Sequence, residues 1–240
     1  METSDRDRGG TPLASAVPET GSGEPLGEHA PALLAAEHWS LIAARSLVWN
    51  EAQSRATVFL TLLSAAIVAL ALLADATGFG TGTTTAALVL LPVVFLLGIA
   101  AYVRLVQINV EEFQLVLAMN RLRHGYLNLE PGLARYLTAS AHDDERGVFA
   151  TYMVDGPTRR AAWLHFLVNT PSIVATVNSA LATAIVVLGL RAARAPSAAA
   201  VAGGVAAFLL VWGLLFWLQR LTLRPLQALK PRFPSPPERP

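Results

Sequence analysis

Cysteine is absent, which excludes disulfide scaffolds, thiolate metal sites, iron–sulfur clusters and cysteine nucleophiles. Charge is scarce: 15% of the 240 residues are Asp, Glu, Lys or Arg, against about 25% in an ordinary soluble domain. Net charge is +1, too little for a dedicated nucleic-acid binder, so no nucleic-acid partner is expected. Lysine is nearly missing, with Lys230 alone among 18 basic residues. Together with heavy Ala, Gly and Pro use, this points to a high-GC genome. The N-terminal stretch has no apolar core segment, so it is not read as a cleaved signal peptide. What is abundant is apolar surface, at 53% of residues. The composition is that of a membrane protein and not of a soluble, disordered or collagen-like chain.

The charges that exist are unevenly placed. Ala56–Ala74, Ala76–Val103, Ala161–Leu190 and Ala195–Gln219 contain none. About 20 apolar residues in a helix cross a hydrocarbon layer about 30 Å thick. Four spans follow, near 56–75, 85–105, 165–189 and 198–219. The runs are far longer than barrel strands and do not alternate, so the expected fold is all-α. It is a polytopic membrane protein with four transmembrane helices in two hairpins, an N-terminal amphipathic helix and a central cytoplasmic helical segment, 106–160. The Gly/Thr-rich stretch Ala76–Thr85 reads as a loop. Pro92 and Pro171 are expected to kink the second and third spans. The domain reading is a disordered tail at 1–30, a membrane domain at 31–223, and a Pro-rich basic tail at 224–240.

Sixteen of the 18 basic residues fall in the two terminal segments and the centre, and only Arg191 and Arg194 fall in the hairpin loops. Both termini and the centre are therefore expected on the cytoplasmic side of a bacterial inner membrane. Trp163, Tyr102 and Trp217 sit at the matching span ends, while Trp212 lies deeper and is left unexplained. The segment Arg220–Pro240 carries net +4, a charge suited either to anionic lipid headgroups or to a topology signal alone.

Residues 31–55 predict a helix that lies at the interface or runs straight into the first span. Arg104–Leu129 continues the second span and should stop before Pro131, with a short helix around Gly132–Ser140. Its stripe Ile108, Leu115, Met119, Leu122 and Tyr126 needs a cover, supplied by the 31–55 helix or by a second subunit. Glu111, Asn120, Arg121 and His124 occupy the opposite side.

Inside the third span His165, Asn169, Ser172, Thr176, Ser179 and Thr183 recur in steps of four and three, within an arc of about 80°. Thr57, Thr61, Ser64 and Asp75 share one face of the first span, and Ala199, Gly203 and Ala207 one face of the fourth. Two readings stand. Small and hydroxylic residues let helices approach closely, or the third-span stripe lines a water-filled path with His165 at its mouth. No charged residue lies mid-membrane, which speaks against proton-coupled transport.

His142, Asp143, Asp144 and Glu145 form a compact cluster. Oxygen ligands suit magnesium or calcium, yet consecutive residues do not converge easily on one ion. The cluster reads as a solvated turn, paired with Arg146 or with Arg121 and Arg123. Thr77–Gly80 lacks the residue spacing of a potassium-channel filter and the Lys-Ser/Thr of a phosphate loop. No cofactor motif and no Ser-His-Asp signature occurs, so no cofactor and no enzymatic activity are expected.

The strings RSLVWNEAQSRATVFLTLLSAAIVALAL, LLPVVFLLGIAAYVRLVQ, MNRLRHGYL and HDDERGVFATY resemble a family of uncharacterised four-span integral membrane proteins of high-GC Gram-positive bacteria. That resemblance implies the four-span layout and brings no active residues. The arrangement of helix, two spans and helix is also similar to SLATT membrane effectors, which are proposed to perforate membranes. Here a second hairpin is added and no sensor domain is present. The expected function is an oligomeric membrane scaffold or regulator, with a pore lined by the third span as the alternative. The expected partners are the lipid bilayer and further copies of the chain.

Overall fold

The computed structural model describes residues 27–152, 169–227 and 230–237. Among these there is no strand. Four helices are long and apolar enough to cross a membrane: α1 (Ala30–Thr77), α2 (Thr81–Leu129), α4 (Thr170–Ala192) and α5 (Ser197–Gln227). A 3-10 turn at Pro131–Arg135 and a short helix α3 (Glu145–Thr151) lie between the second and third of them.

Helices α1 and α2 have 48 and 49 residues. At about 1.5 Å per residue each is about 70 Å long, more than twice a hydrocarbon layer. Residues 31–55 therefore run straight into the first apolar stretch, without a break at Arg55. Glu51 explains the continuity. It receives two hydrogen bonds from Arg104, from Nε and Nη2 at 2.8 Å each, and Arg104 also bonds Glu111 at 2.7 Å. Arg45 pairs with Glu112 at 3.1 Å, and Tyr126 donates its hydroxyl to the Leu34 carbonyl. These bonds fasten the arm of α1 onto the arm of α2. The arm of α1 is thus what covers the stripe on α2: Ile108 and Met119 are buried, and Tyr126 stacks on His38. On the arm of α1, Leu41 and Val48 are half-buried while Ile42 and Trp49 are exposed.

The break between α1 and α2 is much shorter than the expected loop. Only Gly78–Gly80 leaves the helices, because the threonines that read as turn formers return their hydroxyls to the backbone. Thr83 Oγ1 donates to the Gly78 carbonyl at 2.8 Å, Thr84 to Gly80 at 3.1 Å and Thr85 to Thr81 at 2.9 Å. Gly78 has φ +74°, a turn conformation that glycine adopts without strain. Helix α2 ends where Pro131 requires, with Glu130 extended. Pro171 does not kink α4. It opens the helix, where a missing N–H costs nothing.

The core runs through the apolar part of the bundle, with Phe59, Leu91, Tyr102, Val174 and Leu215 buried together. Tyr102 donates its hydroxyl to the Leu215 carbonyl, tying α2 to α5. A smaller cluster of Val116, Leu117 and Val148 joins α3 to the arm.

Candidate functional site

Within the chain the third-span stripe is packed in part: Ser172 and Ser179 are buried, Asn169 and Thr183 half-buried and Thr176 exposed. Asn169 caps α4, accepting from the Ser172 N–H at 3.0 Å. Thr176, Ser179 and Thr183 donate to the carbonyls of Ser172, Ala175 and Ser179. Ser172 and Ser179 are buried, and Thr183 also reaches the Gly204 carbonyl on α5 at 3.2 Å. Trp212, unexplained by depth alone, donates its indole N–H to Thr176 at 3.3 Å. His165 lies outside the described residues. On α5 the seam follows Ala200, Gly203 and Gly204. Ala199, expected on it, is exposed, one residue out of phase. A Cβ on Gly204 would come within 2.7 Å of Val187. Cysteines placed at 172 and 179 are expected to resist aqueous thiol reagents in the folded protein. Rapid labelling at both would restore the water-filled path.

The same bundle buries the amides of Asn178 and Gln219, outside the stripe. Asn178 is fully buried and faces Gly98 of α2; neither of its amide atoms has a hydrogen-bond partner among the described residues. Gln219 is buried, its Nε2 has no hydrogen-bond partner among the described residues, and its Oε1 lies 3.5 Å from Ser172 Oγ.

The second site is the 142–145 cluster, in which Asp143 is buried, His142 and Asp144 are half-buried and Glu145 is exposed. Among the described residues no three His, Asp or Glu side chains converge. Asp144 caps α3, accepting from the Gly147 N–H at 2.7 Å, while Glu145 starts the first turn. Asp143 is buried and accepts from Arg121 Nε at 2.6 Å. Asn120, expected on an open polar side, is fully buried, because its amide donates to the His142 carbonyl and accepts from Arg123 and Thr151. The polar side of α2 is therefore the floor of a polar layer, built from 131–152.

Onto that layer comes the C-terminal segment, which its composition marks as a Pro-rich basic tail. Asp143 accepts from the Phe233 N–H at 2.7 Å and the Arg232 N–H at 3.0 Å, and its own N–H donates to the Phe233 carbonyl at 3.2 Å. Asp144 accepts from the Ser235 N–H at 2.7 Å and its hydroxyl at 2.8 Å. Arg146 donates to the Pro236 carbonyl at 3.1 Å, and Phe233 stacks on His124 at 3.8 Å between ring centres. Burial raises the Asp143 carboxyl, but Arg121 and the two backbone N–H donors override it and hold it below the usual carboxylate range. Asp144 is likewise held low, its burial outweighed by Ser235 and Gly147.

Gly147 completes the turn. A Cβ there would lie 2.1 Å from the His142 carbonyl oxygen, a backbone atom that has no rotamer to escape into. Gly147→Ala is expected to displace α3 and lose the docked segment, which limited proteolysis at the C-terminus would register as faster cleavage. Cleavage at the wild-type rate would refute this. No family model matches this chain, and neither a curated protein nor a solved structure matches it.

Proposed function

We propose that this chain is a non-enzymatic, homo-oligomeric scaffold or regulatory protein of the bacterial inner membrane. Its four helices pair as two hairpins, and both termini and the 104–160 segment lie on the cytoplasmic side. The resemblance to four-span proteins of high-GC Gram-positive bacteria belongs to the same reading.

One observation carries it. The face of α1 that α2 leaves uncovered follows alternating steps of three and four from Leu33 to Asp75. It passes through Leu47, Asn50, Ser54, Thr57, Thr61 and Ser64, and every position on it is exposed. No charge interrupts it before Asp75, and most of its residues are small. A 3.5-residue repeat is the period at which straight helices supercoil about one another. Small and hydroxylic residues are what allow close approach inside a bilayer, where apolar surface alone gives no drive to associate. A second copy of α1 supplies the complementary surface at no cost in new sequence, as a two-fold interface requires.

The absence of cysteine makes the test direct. Single cysteines along 54–64 should give disulfide-linked dimers in membranes with maxima at 54, 57, 61 and 64. A cysteine at Leu209, on the outer face of α5, should give none. Crosslinking without that period, or a monomer at all positions, would remove the reading. Reporter tags at the two ends should both locate to the cytoplasm, and one external end would overturn the orientation.

A further inference from the structure

We propose that the surface formed by His124, Asp143, Asp144 and Arg146 is a docking groove for an extended, proline-punctuated peptide, and that residues 232–236 are its resident, displaceable occupant. The partner it fits is a protein segment of the same chemistry: a cationic residue, an aromatic, Pro, Ser, Pro.

Three features support recognition over incidental contact. First, the groove uses every backbone donor that the segment offers. Pro234 and Pro236 have no N–H, and the N–H groups of Arg232, Phe233 and Ser235 all end on Asp143 or Asp144. Two carboxylates set side by side thus read the spacing of the prolines. Second, the groove is fixed independently of its occupant. Arg121 holds Asp143, and the Gly147 N–H holds Asp144. Both acceptors stay in place when the segment leaves, so an incoming peptide meets a preorganised site. Third, the occupant is held weakly enough to exchange. Pro231, Arg232, Pro234, Pro236 and Pro237 are exposed, and only Phe233 and Ser235 are half-buried. Its attachment is a handful of polar bonds that water can replace and one ring contact. Short linkage to α5 gives the resident segment a high effective concentration, so the groove is closed at rest and opens to a competitor only when the resident is weakened or displaced.

The test uses the full chain in nanodiscs and a fluorescein-labelled peptide of sequence PRFPSPP, read by anisotropy. In a Phe233→Gly/Ser235→Asp chain the resident loses its ring and meets Asp144 with a like charge. That chain is expected to bind the peptide at least ten-fold more tightly than wild type does. Adding Asp143→Asn should abolish binding, and a peptide lacking the Phe should not bind. A second vacated chain, Arg232→Pro/Ser235→Pro, removes two N–H donors without adding charge and should behave alike. The proposal is overturned if neither vacated chain binds, if wild type binds equally well, or if Asp143→Asn leaves binding intact.

Discussion

Replacing Gly98 with alanine is expected to destabilise the membrane bundle by about 1–3 kcal/mol, the usual range for overpacking a filled core. The added Cβ would lie 2.3 Å from Asn178 Oδ1 and 2.6 Å from Phe59 Cε2. Both neighbours are the ends of side chains, and at a surface they would turn aside. Here Asn178 has no exposed area and Phe59 is 2% exposed, so neither has anywhere to turn. The three residues come from α1, α2 and α4, so the strain falls on the point where three of the four long helices meet. A double-mutant cycle isolates the cause. Asn178→Ala removes an amide that has no hydrogen-bond partner among the described residues and opens the volume that the new methyl needs. The pair Gly98→Ala/Asn178→Ala should then be more stable than Gly98→Ala alone by about 1 kcal/mol or more, a coupling typical of residues in contact. Thermal unfolding in detergent, followed by circular dichroism, measures it. A Gly98→Ala protein that unfolds at the wild-type temperature, or additive single effects, would show that the notch is not filled as described.

What could be read in advance divides along a physical line. The four long helices were legible because burying a charge in hydrocarbon is costly, so a long uncharged apolar gap is the mark that a span leaves in a sequence. The stop at Glu130 was legible because Pro131 excludes helix before it by local sterics. The partner of the α2 stripe was legible only as a choice, and the ion pairs of Glu51 and Glu112 with Arg104 and Arg45 decided it. The 76–85 loop was misread because threonine has two behaviours, turn former and helix back-bonder, and the neighbouring carbonyls select between them. Asn178 escaped notice because it lies off the arc shared by the hydroxyls, and its significance depends on Gly98, 80 residues earlier. The cluster at 142–145 was visible as chemistry but not as a site. Its occupant lies about 90 residues away in sequence, and a Pro-rich stretch has no internal hydrogen-bond pattern to announce where it docks. Composition recognises a chain that cannot build its own core; it says nothing of a groove built elsewhere to hold it.

Acidification is expected to release that segment. Asp143 and Asp144 are both held below the ordinary carboxylate range in the docked state, and a free carboxylate titrates near pH 3.9. The sign follows from linkage. A group whose pKa is depressed by docking stabilises the docked state fully above its free value, and that contribution fades as pH falls through the depressed value. Protonating Asp143 removes the charge that faces Arg121 and weakens it as acceptor for the Arg232 and Phe233 N–H groups. Protonating Asp144 weakens its bonds to Ser235. The other titratable or charged groups at this surface are Arg121 and His124 on α2, His142 in the cluster, Glu145 and Arg146 on α3, and Arg232 on the docked segment. A spin label on Pro237→Cys should be immobile at pH 7 and gain mobility as pH falls below the free carboxylate value, with release complete once both carboxylates are protonated. Asp143→Asn should free the label at every pH, since its amide nitrogen must face either the Phe233 N–H or both the Arg232 N–H and the Arg121 guanidinium. His124→Phe keeps a ring under Phe233 without a titrating group, and release should persist unchanged in it. A midpoint that moves with His124→Phe would assign the switch to the imidazole, and a label that stays immobile at pH 7 in an Asp143→Asn/Asp144→Asn chain would show that the carboxylates do not hold the segment.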